Sequence, residues 1–469
     1  MPRITVLGAG VCGLAAAMLL ARDGHDVTVL ERDPAPVPDT LDEALTSWER
    51  GGVAQFRQAH YVQPRGREVL EECLPDVRAA LAAAGALQFN ALGGMPPTIA
   101  DRTPRPGDER FATITARRPV IESVLARAAQ AEPGVEIRRG VAVEALTARW
   151  YDGTPHVTGA RTDRGDELVG DLVVDAGGRR SALPRLLEAV GARPPLEQAE
   201  DSGFIYYTRF FRSCDGGRPE SRAAPLTPMP SFSVLTLPGD NDTWSVTLYI
   251  SAGDRPLKAL RHAENWDAVL AACPRHAHWA DAEPLTDVVP MGGVVDRYRR
   301  MVVDGEPVAT GVVVLGDAWA CTNPSLGRGI ALGLMHARRL RDFVRYHLEH
   351  RVEMVEVWDT ATEVELTPWY RATVGEDRAR RAALEADRAG AAPPPPPRGD
   401  AGVLACLPRA AIADADLFRA FLAIRSCLAL PEEVLARPGL AERVLELSRD
   451  AGPPPRLGPD RAQLLALLS

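Results

Sequence analysis

The apolar residues near the start of the chain predict a strand, a turn, a helix and a second strand. RITVL (residues 3–7) and VTVLER (27–32) are short apolar runs typical of buried strands. Residues 11–22 between them have the pattern of a helix, and glycines separate that helix from the first strand. A strand, a glycine-rich turn, a helix and a strand form the first half of a βαβ arrangement.

The pattern changes twice further along the chain. Residues 119–132 predict a helix that starts at a proline, and strands follow at 135–149 and 171–178. Between residues 203 and 300, apolar and polar positions alternate and include many aromatic residues. This alternation predicts an antiparallel sheet with one wet face, which we interpret as a layer that supplies a substrate cavity.

The last third of the chain is predicted to be helical. Residues 330–390 and 403–450 have helical spacing, and a proline run at 392–397 separates them as a stiff polyproline linker. We expect the segment after this linker to pack on the main body.

Composition narrows the class of protein. The net charge of −9 argues against a nucleic-acid partner, which requires a basic face. The seven cysteines are scattered, without the spacing of a zinc site or a disulfide framework, and so favour a reducing cytoplasm.

The N-terminus also has an alternative interpretation as a secretory signal. It begins with a basic residue followed by an apolar stretch, but the glycines at 8, 10 and 13 fit a strand-turn-helix better. No later stretch of about 20 apolar residues occurs, so no membrane span is predicted.

GAGVCG, after the first strand, is the first motif with a chemical meaning. Gly8 permits a tight turn, Gly10 lets the backbone approach a pyrophosphate, and Gly13 allows the helix to pack on the strand. Glu31 ends the second strand, at a spacing suited to binding a ribose hydroxyl pair, with Arg32 beside it. The motif predicts a dinucleotide site but does not separate FAD from NAD.

Two further apolar runs each deliver an acid into a glycine-rich loop. DLVVDAGGRRSALPRLL (171–187) places Asp175 there, although a capping Asp before a helix has the same pattern. VVVLGDAWACTNPSLGRG (312–329) repeats the arrangement with Asp317. Three such sites are too many for a simple nicotinamide dehydrogenase.

In this order, the three motifs resemble those of the aromatic-hydroxylase group of FAD-dependent monooxygenases. The resemblance covers roughly residues 1–345, and it implies that the Asp of the third motif bonds the ribityl chain while its glycines approach the flavin ring. It also implies FAD as the cofactor and NAD(P)H as the electron donor. The residues assigned to cofactor binding are Gly8, Gly10, Gly13, Glu31, Arg32, Arg118, Asp175, Asp317, Pro324, Gly327 and Gly329.

A finer likeness concerns residues 51–76. Their Gly-Val-x-Gln, His and Leu-Pro-Asp elements are similar to those of bacterial secondary-metabolism monooxygenases, including polyether epoxidases. The His often found three residues after the third-motif Asp is Ala320 here, so phenol hydroxylases are a doubtful guide to the substrate.

Two residues are candidates for catalysis. Arg328 could stabilise negative charge on reduced flavin, or it could be a solvated arginine. His60 could lie in the flavin or substrate cleft, or it could be an ordinary hydrogen-bonded histidine.

The predicted fold is α/β, with three parts. A Rossmann-like FAD-binding domain comprises residues 1–200 and 301–345, an inserted antiparallel-sheet substrate domain spans 201–300, and a helical C-terminal region spans 346–469.

The predicted function is an FAD-dependent monooxygenase of the cytoplasm that uses NAD(P)H and O2 on a small, secondary-metabolite substrate. Hydroxylation, epoxidation and Baeyer-Villiger oxidation all stay open, as do the choice of NADH or NADPH and the oligomeric state. The alternatives are an oxygen-independent flavin dehydrogenase or reductase and a non-catalytic FAD-binding protein. A flavin halogenase is disfavoured, because its WxWxIP stretch is missing from the sequence.

Overall fold

A five-stranded parallel sheet carries the predicted strand-turn-helix-strand unit. The computed structural model describes residues 1–213, 216–392, 394–395, 397–450 and 456–469. In spatial order, the strands of this sheet are Val312–Val314, Leu172–Asp175, Arg3–Leu7, Asp26–Glu31 and Val135–Arg139. The strands of the described chain are β1 (Arg3–Leu7), β2 (Asp26–Glu31), β3 (Ala59–Val62), β4 (Leu87–Asn90), β5 (Ala112–Arg117), β6 (Val135–Arg139), β7 (Val143–Tyr151), β8 (Thr154–Thr162), β9 (Glu167–Val169), β10 (Leu172–Asp175), β11 (Leu196–Asp201), β12 (Phe204–Arg212), β13 (Leu226–Pro228), β14 (Phe232–Pro238), β15 (Thr243–Ser251), β16 (Glu283–Pro284), β17 (Val289–Met291), β18 (Val295–Arg300), β19 (Val302–Val303), β20 (Glu306–Pro307), β21 (Val312–Val314) and β22 (Ala320–Cys321).

Helices cover this sheet and form most of the C-terminal region. Those of the described residues are α1 (Val11–Arg22), α2 (Leu41–Thr46), α3 (Pro64–Cys73), α4 (Pro75–Ala83), α5 (Arg118–Ala131), α6 (Leu183–Ala189), α7 (Ala263–Ala271), α8 (Gly329–His347), α9 (Arg351–Glu365), α10 (Thr367–Arg388), α11 (Asp400–Ala410), α12 (Ala415–Arg425), α13 (Pro431–Leu435), α14 (Leu440–Asp450) and α15 (Arg461–Leu467). None of these helices is both long and apolar enough to cross a bilayer.

The parallel register brings the three predicted motifs to one edge of the sheet. Leu7 at the end of β1 is paired with Asp175 of β10, and Asp175 is paired with Val314 of β21. Since parallel strands end at the same edge, the loops after β1, β10 and β21 are neighbours there. Residues far apart in sequence, from Gly8 to Gly329, therefore meet at the carboxyl edge of the sheet.

One core packs on each face of this sheet. Helices α1, α5 and α8 cover one face, and α1 is buried from Val11 to Ala21 apart from Cys12. The other face is covered by α6, by the β7-β8-β9 sheet and by residues of α10. Burial on both faces explains why β1, β10 and β21 are nearly continuous apolar runs.

The predicted antiparallel sheet is present, but the prediction of one wet face is wrong for its central strand. β12 and β15 pair from Phe204↔Ser251 to Arg212↔Thr243. β15 is buried at every residue, because α7 packs on one face while the other is covered through Leu384 of α10. The C-terminal region therefore closes over the sheet.

The prediction of a helical C-terminal region is confirmed together with the α/β fold class, as α8 to α15 show. The predicted linker is only partly described, since Pro393 and Pro396 lie outside the described residues. The domain boundaries stay a prediction.

Candidate functional site

A cavity of about 590 Å³ opens at the carboxyl edge of the parallel sheet. Its wall combines the three motif loops with residues of the antiparallel sheet and of the C-terminal helices. The predicted site residues that line it are Gly8, Gly10, Glu31, Arg32, His60, Arg118, Asp175, Asp317, Pro324, Gly327 and Gly329. Gly13 and Arg328 are not among its lining residues.

The first turn owes its shape to three glycines with different roles. Gly8 has φ +108°, and a Cβ there would lie 2.6 Å from the carbonyl oxygen of Ala176. A Cβ on Gly13 would lie 2.1 Å from the carbonyl oxygen of Gly8, so only glycine lets α1 pack on this turn. A Cβ on Gly10 would meet no atom within 4 Å and would project into open space. Gly10 also caps α1 without a side-chain hydrogen bond, which leaves the helix N-terminus available to an anion.

Glu31 lies at the end of a buried chain of charges. Its Oε2 accepts hydrogen bonds from the Ala9 N–H at 2.9 Å and from Arg50 Nη2 at 2.7 Å. Arg50 Nη1 donates to Glu122 Oε2 at 3.1 Å, and Arg118 Nε donates to Glu122 Oε1 at 2.6 Å. Two predicted cofactor residues, Glu31 and Arg118, are thus joined through two that the sequence pattern did not indicate.

A sequence signal existed for one of these two missed residues. Glu122 follows Arg118 by four positions on the predicted helix, the spacing of a helical ion pair. Arg50 lies in the irregular segment before β3, where spacing predicts no partner.

Asp175 accepts two hydrogen bonds from residues of the loop that follows it. Its Oδ1 accepts the Gly177 N–H at 2.9 Å, and its Oδ2 accepts the Ser181 hydroxyl. Burial raises the pKa of Asp175, against the effect of these two donors. The carboxylate therefore lines the cavity, as the cofactor interpretation predicts. It also makes hydrogen bonds within its own turn, as the alternative interpretation of a capping Asp predicts.

Asp317 lines the cavity and makes fewer hydrogen bonds within its own loop than Asp175 does. Burial raises the pKa of Asp317, while the nearby Arg118 and Arg179 and a hydrogen bond with Cys321 lower it. In the same loop, Gly327 adopts φ +63° after the Pro324–Leu326 turn. A Cβ on Gly329 would meet no atom within 4 Å, so the start of α8 is open like the start of α1.

His60 lies in the cavity wall as a neutral imidazole. Its Nδ1 donates to the carbonyl oxygen of Gln58 at 3.0 Å, which leaves Nε2 as an acceptor. Burial, and next the charge of Arg118, lower the pKa of His60 to about 3. The residue can accept a hydrogen bond at Nε2, and it is not a cation at neutral pH.

The predicted placement of Arg328 beside the flavin is corrected by the structure. Arg328 is 1% exposed and points into the C-terminal helices. Its Nη1 donates to Thr373 Oγ1 at 3.0 Å and its Nη2 to the carbonyl oxygen of Ile424 at 3.1 Å. These partners, and the ring of Trp369 5.5 Å from its guanidinium, hold it away from the cavity.

The C-terminal region also supports the third-motif loop through Asp377. Its Oδ1 accepts hydrogen bonds from Asn323 Nδ2 at 3.0 Å and Ser325 Oγ at 2.8 Å. Tyr206 of β12 donates to Asn323 Oδ1 at 2.6 Å from the other side. Burial raises the pKa of Asp377 to about 7, and its Oδ2 has no partner among the described residues. The motif spacing in the sequence does not point to this contact.

Together these features fit FAD. The open N-terminus of α1 suits a pyrophosphate, and Glu31 is placed to accept ribose hydroxyls. The space in front of Gly10 and Gly329 is what a bound group would fill. Among the described residues, no group of three or more His, Cys, Asp or Glu side chains could hold a metal ion.

Gly10→Val is expected to weaken FAD binding by about 100-fold, because the new side chain occupies the space in front of the turn. The fold should be retained, since Gly10 has φ −81° and no atom lies within 4 Å of the added Cβ. Titration of the apoprotein with FAD, followed by flavin fluorescence, measures the change.

Gly375→Ala is the matched control for this variant. Gly375 is exposed in α10, and a Cβ there also meets nothing within 4 Å. This change should leave FAD affinity unchanged and stabilise the helix by about 0.5–1 kcal/mol. Equal FAD affinities for the two variants would contradict the assignment of Gly10.

Comparison with known proteins relates this geometry to a family. A family described as "FAD binding domain" matches residues 2–349, most of the chain. Protein Rv3254 of Mycobacterium tuberculosis is 28% identical over 352 residues, covering 72% of this chain and 71% of that protein. Menaquinone reductase of Mycolicibacterium smegmatis is 25% identical over 341 residues, covering 71% of this chain and 74% of that protein.

A solved structure shows the same fold. PqsL of Pseudomonas aeruginosa, described as a probable FAD-dependent monooxygenase, superposes with a TM-score of 0.59 at 18% identity. The match covers 82% of this chain and 96% of that chain.

Proposed function

The chain belongs to the FAD binding domain family of flavoproteins, and on this premise we propose that it is an FAD-dependent monooxygenase. Family membership confirms the predicted aromatic-hydroxylase-like group and the predicted class, an FAD-dependent oxidoreductase. The proposed reaction consumes NAD(P)H, a proton and O2, inserts one oxygen atom into a small organic substrate, and releases the other as water. Family membership does not identify the electron donor or the substrate, and both are part of the proposal.

The observation that carries the proposal is the continuity of the cavity. Besides the cofactor loops, its lining includes Leu226, Leu235 and Leu237 of the antiparallel sheet and Phe421 and Leu422 of α12. We call the part of the cavity lined by these five apolar side chains the chamber. A cofactor site that opens into an apolar chamber supports a reaction that must be kept away from bulk water.

In this proposal, different residues of the chain bind and position the cofactor. FAD, when bound, supplies the electron-transfer and oxygen chemistry. The N-terminus of α1 and Glu31 would hold its pyrophosphate and ribose, and Asp317 its ribityl chain. Arg118 places a positive charge beside Asp317, and His60 offers a neutral acceptor at Nε2.

The substrate is proposed to be a largely apolar, secondary-metabolite-like molecule. The apolar chamber wall supports this, as does the likeness of residues 51–76 to secondary-metabolism monooxygenases. PqsL, which shares the fold and is described as a probable FAD-dependent monooxygenase, agrees with the proposed reaction class.

A second candidate is an oxygen-independent reductase. The similarity to menaquinone reductase, which covers about three quarters of that protein, favours it. In that case the same chamber would hold an electron acceptor in place of a substrate for oxygenation.

Isotope labelling under defined gas phases separates the two candidates. The FAD-loaded protein is supplied with NADH or NADPH and a panel of aromatic and polyene substrates, under 18O2 or under argon. We expect NAD(P)H oxidation that requires O2 and one 18O atom in the product. Full turnover under argon with menaquinone as acceptor, without labelled product under 18O2, would overturn the proposal.

A further inference from the structure

The chamber has a charged residue at its C-terminal wall, Arg425. The residues that line this wall from α12 and its C-cap are Phe421, Leu422, Arg425 and Ser426, which lie on one face of the helix. Tyr370 of α10 completes the wall. Among these, Arg425 is the charged side chain, and it lies outside the segment that the family matches.

The positive charge of Arg425 is only partly compensated. Its Nη1 donates to Glu376 Oε2 at 2.7 Å, while its Nε and Nη2 donate to no other described residue. Glu376 also lies 3.7 Å from the buried Arg328, so two guanidinium groups share one carboxylate.

The other groups near Arg425 do not remove the imbalance. Burial lowers the pKa of Arg425, and the adjacent Arg328 lowers it further, while Glu376, Tyr249 and Asp377 oppose them. The pKa of Tyr249 is raised by burial, so its phenol is neutral near pH 7. The pKa of Asp377 is raised to about 7, so its charge is incomplete at that pH.

A guanidinium with free donors beside the apolar side chains of Phe421 and Leu422 suits a planar oxyanion. Carboxylates match the fork of N–H donors in arginine, and such charge-assisted bonds are stronger where water is excluded. Glu376 is 44% exposed at its side chain and can turn outward when an anion arrives.

We propose that Arg425 binds a carboxylate or a similar planar oxyanion on an otherwise apolar substrate. This inference rests on the proposed function for the identity of the chamber as a substrate site. It makes Arg425 the residue that selects acidic substrates, and the apolar wall the surface that holds their ring system.

Binding of a matched pair of probes tests the inference without any turnover. 2-Naphthoate and 2-naphthalenemethanol differ in the carboxylate, and binding of each to the oxidised FAD-loaded protein is followed by the change in the flavin absorption spectrum. The wild type should prefer naphthoate by about tenfold or more, the size of a charged hydrogen-bonded contact. Arg425→Met should remove that preference and leave the affinity for naphthalenemethanol within about twofold.

Two further variants make the result specific. Glu376→Gln leaves Arg425 in place without its carboxylate partner, and should raise the affinity for naphthoate by about threefold. Arg378→Met removes an arginine of the same region that pairs with Glu200 and does not line the chamber, and should change neither affinity.

The inference is overturned if the wild type shows no preference, or if Arg425→Met retains it while carrying its full complement of FAD. Should Arg425→Met fail to fold, an unchanged or lowered naphthoate affinity in Glu376→Gln would overturn it. Because the assay needs neither NAD(P)H nor O2, failure of the proposed oxygenation would leave these binding results unaffected.

Discussion

Replacing Arg50 by methionine is expected to lower the free energy of unfolding by about 3–5 kcal/mol, the cost of stranding buried charges. The Arg50 side chain is 4% exposed and contacts three carboxylates, on Glu31, Asp33 and Glu122. Glu122 keeps Arg118 as a partner, but among the described residues Glu31 keeps only backbone donors. FAD affinity should fall as well, because Glu31 loses the group that orients it.

Urea unfolding of the apoprotein measures the stability change, and FAD titration measures the second effect. Arg345→Met is the matched control, since Arg345 pairs with Asp23 at the surface with 44% of its side chain exposed. That change should cost no more than about 1 kcal/mol. If the two variants were equally stable, Arg50 would not be the centre of a buried charge network.

Gly13→Ala is expected to destabilise the protein by about 4 kcal/mol or more, which places it among the strongest single substitutions. The added Cβ would lie 2.1 Å from the carbonyl oxygen of Gly8 and 3.1 Å from the Cβ of Ala176. The closest of these atoms is backbone, so α1 would have to move away from the turn. Most of the protein should be recovered without FAD, and its urea midpoint should fall sharply.

Gly10→Ala provides the comparison within the same turn. It adds the same methyl group three residues earlier, where no atom lies within 4 Å. It should unfold within about 1 kcal/mol of the wild type. A Gly13→Ala protein as stable as Gly10→Ala would mean that the close approach of α1 is not required by the fold.

Local chemistry explains what could be predicted from the sequence. Each motif joins a buried strand to a glycine-rich turn, and such a pattern predicts both the strand and the position of its acid. Parallel pairing then brings Gly8, Asp175 and Asp317 to one edge, a consequence of topology that the order of the motifs already indicated. These residues line the cavity as a group.

Contacts across long sequence separations explain what could not be predicted. Arg328 lies between two motif glycines, yet its partners are Thr373 and Ile424, which no spacing rule connects to it. Asp377 bonds Asn323 across a similar separation, and its contact depends on how α10 packs. Patterns within a short window of sequence carry no information on such contacts.

The antiparallel sheet shows the same limitation on a larger scale. Alternation along β12 and β15 predicts the strands and their pairing type. Whether the second face is wet depends on α10, whose Leu384 lies over 130 residues further along the chain. The sequence pattern of one strand does not show whether a helix distant in sequence packs on its outer face.

The position of the C-terminal wall has a consequence for how this enzyme could be re-engineered. The strands and turns suited to FAD lie before residue 350, whereas Phe421, Leu422 and Arg425 lie well after it. Under the proposed substrate role of the chamber, substitutions at those three positions are expected to change substrate choice while the cofactor strands stay intact. Shortening the chain to the family segment is a different matter, because Arg328 would lose Thr373 and Ile424 and become an orphaned cation directly beside Gly327 and Gly329. Single side chains of the C-terminal region can therefore be exchanged, whereas its removal as a whole would take away the hydrogen-bond partners of Arg328.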